Sequence, residues 1–164
     1  MTDAKTIDVP PQALESVATI LEEEIQPTID DWYERLSSEE DHKITGISKS
    51  SRCSHLPNLF TELIHRLRNP RHGKTTTTSS PAATAHGLLR LHQGFPPAVL
   101  IEESRCLQVS IFNTLNTNAH RVDFNRLLPD VMIIADEVDA QLAMAMASYA
   151  SGGAAASVVP VAQA

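Results

Sequence analysis

Four polar side chains in the middle of the chain could form a site. They are His86, Arg90 and Gln93 in the segment HGLLRLHQGF, and Glu103 in the segment that follows, PPAVLIEESRCL. A histidine and a carboxylate can bind a metal ion, exchange protons, or form an ion pair with a guanidinium group. Which of these applies depends on whether the side chains meet, and therefore on the helices that position them.

The first three of these residues share one face of a helix predicted near residues 81–93. At 100° per residue, His86, Arg90 and Gln93 lie within about 60° of arc, with leucines on the opposite side. Gly94 and the Phe-Pro-Pro that follows should end this helix, because a helix does not run easily into two prolines. We therefore expect the chain to turn, and the next helix, near 97–117, to pack against the first as a hairpin.

Glu103 falls inside the apolar stripe of that second helix. The other members of the stripe are Val99, Leu100, Leu107, Ile111 and Leu115. A carboxylate in such a stripe is costly unless it meets a hydrogen-bond donor or a cation, and the nearest candidates in sequence are Arg90 and His86. An arginine–carboxylate pair can be bidentate, and it would fix the relation of the two helices.

Three hypotheses remain open for this group. In the first, Glu103, Arg90 and His86 form a buried polar network that sets helix register. In the second, the same groups line a small cavity that binds a ligand or responds to pH through His86. The third is a metal or catalytic site, but a di-metal bundle needs repeated Glu-x-x-His pairs from several helices. Haem needs an axial histidine in a deep apolar pocket, for which the candidates are His86, His92 and His120.

Helical periodicity dominates the rest of the chain, so the predicted fold is all-α. One apolar stripe runs from Leu14 to Leu36, with a kink or break expected at Pro27. Further stripes cover residues 56–67 and 124–150, and Asp123 is a plausible N-cap for the last helix. No segment alternates apolar and polar residues for long enough to predict a strand. We expect a compact bundle of about five to six helices.

Two segments are predicted to connect helices. Residues 37–54 are polar, and residues 69–81, NPRHGKTTTTSSP, offer nothing to bury. The prediction is therefore a single domain over residues 1–150 with a flexible loop at 69–81. Residues 151–164 should be a disordered tail or a linker, since Gly152 and Gly153 are expected to end the last helix.

Composition and charge exclude several classes of function. The 164 residues have a formal net charge of −7 and no face with clustered lysine and arginine, which argues against a nucleic-acid partner. We expect no membrane segment and a cytoplasmic location, because the chain has no long apolar run and no signal-peptide core. Cys53 and Cys106 lie in no metal-ligand spacing and fit a reducing compartment.

The order of the motifs resembles a known family. The matching segments span nearly the whole chain: IDDWYERL (29–36), HLPNLFTELIHRL (55–67), HGLLRLHQGFPPAVLIEESRCL (86–107) and DVMIIADEVDAQLAMAMASYA (130–150). They resemble the N-terminal sensor domain of RsbR/RsbRD-type co-antagonist proteins of the stressosome, which is also found ahead of some bacterial histidine kinases. The most specific element is H-G-x-x-R-x-x-Q-G-[FY] followed by a glutamate in the next helix. In this chain the motif positions are His86, Arg90, Gln93, Gly94, Phe95 and Glu103, with Trp32 in the first helix.

The resemblance implies a non-enzymatic sensory or regulatory domain with no catalytic residue, metal or cofactor. Its fold would be a compact, globin-like bundle without haem. A stimulus would shift a two-state packing, which the C-terminal helix would transmit to an output domain of kinase or STAS type. We accordingly expect an isolated input module or a piece of a longer signalling protein. The alternative is a haem- or metal-binding sensor that uses His86 or a neighbouring histidine.

The last predicted helix also suggests self-association. Its final turns, DAQLAMAMASYAS, are rich in small residues and methionine, and Met144 falls outside the predicted core stripe. Small residues allow close helix approach, and methionine suits adaptable contacts. We therefore expect a homodimer whose two-fold interface includes this helix.

Overall fold

The computed structural model describes residues 14–38, 47–70 and 79–157, which form seven helices. They are α1 (Val17–Glu23), α2 (Ile25–Ser38), α3 (Lys49–Cys53), α4 (Leu56–Arg68), α5 (Pro81–His92), α6 (Ala98–Thr117) and α7 (Phe124–Ser157). An isolated bridge joins Glu15 to Val122, and the described residues contain no strand. The all-α prediction is confirmed. None of the helices in the described ranges is long and apolar enough to cross a membrane.

The predicted break near Pro27 separates α1 from α2. Helix α1 ends at Glu23 and α2 begins at Ile25, so Pro27 lies in the first turn of α2. A proline is tolerated there because the amide of a first-turn residue has no partner within the helix. The apolar stripe through both helices is buried at Val17, Leu21, Ile29, Trp32 and Leu36, whereas Leu14 at its start is exposed.

Helix α4 matches its predicted stripe completely. Its buried residues are Leu56, Leu59, Phe60, Leu63, Ile64 and Leu67, and His65 is exposed as its angle predicts. The segment before it differs from the prediction, because part of the supposed polar connector forms the short helix α3. Residues 39–46, and residues 71–78 of the predicted loop at 69–81, lie outside the described residues.

The turn between α5 and α6 is as sharp as the Gly-Phe-Pro-Pro segment predicts. Gly94 has a φ of 74°, which favours glycine. The amide of Phe95 donates to the carbonyl of Arg90, and that of Gly94 to the carbonyl of Leu91. This pair of bonds is a Schellman motif. The expected hairpin packing is not the main contact, however, because α5 packs most extensively along α7, whereas α6 packs along α2 and α7.

Helix α7 does not end at its glycines as predicted but continues to Ser157, so residues 151–157 of the predicted tail or linker are helical. A Cβ atom on Gly152 would lie 2.7 Å from Leu91 Cδ2 and 2.9 Å from Leu88 Cδ2. The leucines of α5 therefore pack where glycine has no side chain, and this packing outweighs the low helix propensity of glycine. The 34 residues of α7 give a length of about 50 Å.

The buried face of α7 is rotated from the predicted one. The predicted stripe comprised Phe124, Leu127, Leu128, Val131, Ala135, Val138, Leu142, Met146 and Tyr149. Phe124 and Leu128 of that stripe are 65% and 69% exposed, whereas Ile134 and Ala145, which lie outside it, are buried; Val138 is buried as predicted. On this buried face α7 contacts the backbone of Gly87 in α5 at Ala145, a small residue. At the start of the helix, Asp123 caps as expected, because its Oδ1 accepts from the amide of Asn125 at 3.0 Å; Pro129 lies inside the helix.

Candidate functional site

Glu103 lies at the centre of a buried polar network. The residue is 2% exposed, and its carboxylate accepts hydrogen bonds from Nε of Arg90 at 2.9 Å and 3.2 Å. Nε2 of His86 lies 2.9 Å from Oε2 of the same carboxylate. The three side chains that the sequence singled out therefore meet, and they join α5 to α6 through a charge-assisted contact.

The remaining donors of Arg90 are also satisfied. Nη1 donates to Oε1 of Gln93 at 2.6 Å, and Nη2 donates to the backbone carbonyl of Arg52 at 2.8 Å. The Arg90 side chain is fully buried. Gln93 thus belongs to the network through Arg90 and not through Glu103. Because every arm of this guanidinium has an acceptor, its position is determined from three directions.

Trp32 reaches the same centre from α2. Its ring is fully buried, and its Nε1 donates to the backbone carbonyl of Glu103 at 2.9 Å. The indole also contacts the ring of His55 edge-to-face, with ring centroids 5.7 Å apart. All five candidate residues of the sequence are therefore brought together.

Two further residues of the network, Arg52 and His55, were missed in the sequence. Nε of Arg52 lies 3.8 Å from Oε1 of Glu103, and the ring of His55 stacks on that of His86 at 3.9 Å with an interplanar angle of 13°. Both lie in or beside the segment interpreted as a polar connector. The helical spacing could have indicated them. Arg52 and His55 precede the buried residues Leu56 and Leu59 by four positions each, which places them on the same face.

Phe95 underlies the two arginines and links them to α7. Its ring centroid lies 5.2 Å from the guanidinium carbon of Arg90 and 5.7 Å from that of Arg52. At these distances the aromatic face attracts both cations. The hydroxyl of Tyr149 on α7 donates to the Phe95 carbonyl at 2.7 Å. The turn after α5 therefore joins the charged centre to the last helix.

A small cavity of about 20 Å³ adjoins the network. His86, Glu103, Ser104 and Gln141 are its polar lining residues, and the rest of its wall is apolar: Leu59, Leu100, Leu107, Val138, Leu142 and Ala145. This volume suffices for one water molecule. The cavity expected by the sensory hypothesis therefore exists, but it does not take a substrate-sized molecule.

The surroundings lower the pKa values of two groups, Glu103 and His55. The shift favours the charged form of the carboxyl group and the neutral form of the imidazole. Burial by itself would raise the pKa of Glu103, but the hydrogen bond with His86 and the positive charge of Arg90 offset it and hold that pKa below its ordinary value. Burial and the neighbouring charges of His86 and Arg90 lower the pKa of His55 well below its ordinary value. At neutral pH the site therefore contains an ionised Glu103 and an uncharged His55.

The described residues contain one group that could hold a metal ion, formed by His55, His86 and Glu103. One potential ligand atom from each lies within 4.8 Å of the others. The geometry does not suit coordination, however, because the lone pairs of an imidazole lie in its plane and one ion cannot lie in the planes of two stacked rings. Arg90 and Arg52 also place positive charge at the same carboxylate. The arrangement therefore fits a network of protons and ion pairs better than a metal centre.

Comparison of the chain with protein-family models, with curated proteins and with solved structures finds no match. The resemblance to RsbR/RsbRD-type sensor domains, and the globin-like arrangement that it implies, therefore stay predictions. The geometry of the site is the basis for any statement about function.

Proposed function

We propose that the chain is a non-enzymatic sensory or regulatory domain of a bacterial signalling protein, in which a change in the Glu103 network repacks α7 against α5. The observation that supports this most directly is the backbone contact beside His86. A Cβ atom on the next residue, Gly87, would lie 2.0 Å from the carbonyl oxygen of Ala145. The two helix backbones are in contact there, so a displacement of His86 and its neighbour Gly87 also displaces α7.

Other contacts distribute the coupling along α7. Oγ of Ser148 donates to the carbonyl of Thr84 at 3.0 Å, and Tyr149 bonds to the turn after α5. On the side of the cavity, Val138 and Gln141 of α7 face His86 and Glu103 across the water-sized space. A change in the network therefore alters the packing of α7 against α5 and α6 over several turns. Helix α7 continues from there to Ser157.

The buried network is suited to a two-state response. Breaking one partner of a buried ion pair leaves an uncompensated charge, so intermediate arrangements are costly and two discrete packings are favoured. A non-enzymatic role agrees with the state of Glu103. Its carboxylate is engaged by Arg90 and His86, so it is not free to act as a general base.

The proposal includes a homodimer and an output partner of kinase or STAS type in the cytoplasm. The large exposed apolar side chains of α7 are Phe124, Leu128 and Met132, at spacings of four residues on one flank of the helix. We therefore place the dimer contact at the start of α7 rather than in its final turns. Light scattering at micromolar concentration should give a dimer mass that Leu128→Glu reduces to a monomer. A monomer mass for the unchanged chain would remove this part of the proposal.

Hydrogen exchange tests the coupling to α7. Glu103→Gln removes the charge but keeps the volume, and Glu102→Gln is a matched control because Glu102 is partly exposed and pairs with the exposed Arg105. In the Glu103 variant we expect amide protection to fall in α7 between residues 138 and 152 while α1 keeps its protection. An equal loss in all helices would show general destabilisation, and the network would then be only structural.

A further inference from the structure

The two stacked histidines of the site lack the surroundings that two charged rings would need. His55 and His86 are each 7% exposed, and their ring planes are nearly parallel. His86 has Glu103 as a partner through Nε2. Nε2 of His55 is buried and has no hydrogen-bond partner. A proton held by this nitrogen therefore finds no acceptor in the closed site.

The charged groups that face the pair are mostly positive. They are Arg52 from α3, Arg90 from α5 and Glu103 from α6, so a single carboxylate faces two guanidinium groups. Nη2 of Arg90 lies 3.4 Å from Nδ1 of His55. A positive charge on His55 would thus lie against Arg90 on one side and against His86 on the other, at short range and away from water.

The other helices around the pair add no compensating charge. Helix α2 contributes the uncharged Trp32, and α7 contributes the uncharged Gln141 beside His86. The titratable groups of α7 near the site are Glu137, whose Oε1 accepts from Nε2 of Gln141 at 3.3 Å, and Tyr149, which donates to the Phe95 carbonyl. Neither makes a described hydrogen bond or ion pair with the two histidines.

We propose that the stacked pair His55–His86 is a proton-sensitive switch, and that the proton is the stimulus that this domain senses. A proton from solvent adds to a ring nitrogen of His55, no other bond forms or breaks, and the site gains one positive charge. The charged His55 ring and Arg90 then repel, so α5 moves away from His55. Because Gly87 touches Ala145, α7 moves with it. This output rests on the function proposed above.

The direction of the response follows from the pKa of His55. That pKa is well below the ordinary value in the closed form, and in an opened, hydrated form it returns toward about 6.5. The open form therefore binds the proton more tightly, and acidification favours it. The closed form is fully favoured above the ordinary value, and its advantage is lost as the pH falls below it.

The single tryptophan of the chain makes the switch measurable. Trp32 is the only tryptophan, and it contacts both His55 and Glu103. We would record its fluorescence from about pH 8 to about pH 5, the range in which histidines titrate. The main variant is His55→Phe, which keeps a stacking ring, and His55→Gln replaces it if His55→Phe does not fold. The control is His65→Gln, which changes an exposed histidine of α4.

We expect a reversible change of fluorescence in the unchanged chain with its midpoint below the ordinary histidine pKa. The change should disappear in a folded His55 variant and keep its midpoint in His65→Gln. A flat signal in the unchanged chain, or the same transition in a folded His55 variant, would overturn the proposal.

Hydrogen exchange of α7 at the two ends of the titration separates this proposal from the proposed function. Loss of α7 protection at acid pH, absent in the His55 variant, supports both. If acid changes Trp32 fluorescence but leaves α7 protected, transmission to α7 is refuted. If acid changes neither and Glu103→Gln still loosens α7, the regulatory function stands and the proton is not its stimulus.

Discussion

Two ion networks among the described residues have opposite charge arrangements. In the interior, one carboxylate, Glu103, is surrounded by two arginines and a histidine. At the edge of the fold one guanidinium, Arg121, binds three carboxylates: Glu15 at 2.8 Å, Glu24 at 3.4 Å, and Glu23. Glu103 is buried, whereas the Arg121 side chain and its partners are partly exposed.

The difference between the two networks lies in what replaces a lost partner. Around Arg121, water can take the place of any one carboxylate, so no single contact is critical. Around Glu103, a lost partner leaves a buried charge without compensation. The Arg121 network accordingly holds the segment before α1 against the loop before α7. The amide of Glu15 also donates to the Arg121 carbonyl there. The switch proposed above uses the interior network, because there the loss of one contact leaves the others unbalanced.

Removing the interior carboxylate should have the largest effect. We expect Glu103→Ala to lower the free energy of unfolding by about 3–5 kcal/mol, because it leaves Arg90 buried without its main counter-charge. The matched change Glu102→Ala, one residue away and partly exposed, should stay within about ±0.5 kcal/mol. Urea denaturation measures both. A double-mutant cycle with Arg90→Ala should give coupling of about 1–3 kcal/mol; additive losses would mean that the pair contributes nothing specific.

The contact that links the interior network to α7 should be the next most sensitive. Gly87→Ala places a methyl group against the Ala145 carbonyl, so α7 must shift, at a cost of about 1–3 kcal/mol. Gly153→Ala is the control, since its Cβ would meet Leu91 Cδ1 at an ordinary 3.9 Å. That change should be neutral or stabilise by up to about 1 kcal/mol through helix propensity. Equal effects of the two changes in thermal unfolding would show that α5 and α7 are not held at a fixed distance.

Acid should weaken the interior network through Glu103. Its pKa in the folded protein is below the unfolded value of 4.5, so the unfolded chain binds the proton first as the pH falls. The stabilisation by this carboxylate is therefore complete above that value and is lost as the pH falls through the lower, folded pKa. In Glu103→Gln this part of the pH dependence should be missing. If denaturation midpoints of variant and unchanged chain keep a constant difference below pH 4.5, Glu103 is not the group that titrates.

The exterior network should show the smallest effect and the largest dependence on salt. Arg121→Gln should destabilise less than Glu103→Ala, and its effect should shrink as sodium chloride rises toward about 1 M, where interactions between exposed charges extend over only about 3 Å. The effect of Glu103→Ala should change little with salt, because ions do not enter the interior. Thermal unfolding at low and high salt compares the two. If salt changed the effects of both substitutions equally, the proposed difference between the interior and the exterior network would be wrong.

Much of the site could be predicted because it depends on spacing within single helices. The separations between His86, Arg90 and Gln93 place them on one face of α5 whatever that helix packs against. The position of Glu103 within an apolar stripe required a cationic partner, and Arg90 was the nearest one. The six buried residues of α4 followed from periodicity in the same way.

Only the tertiary structure decided which faces meet. The buried face of α7 is rotated from the predicted stripe and includes Ala145, whose carbonyl lies against Gly87; no hydropathy pattern reports such a contact between small residues. Arg52 lay in the predicted polar connector and His55 directly after it, yet both are buried, because Arg52 lies near Glu103 and His55 stacks on His86. Spacing along one chain segment determines relations within a helix, whereas long-range packing determines which of its faces is removed from water.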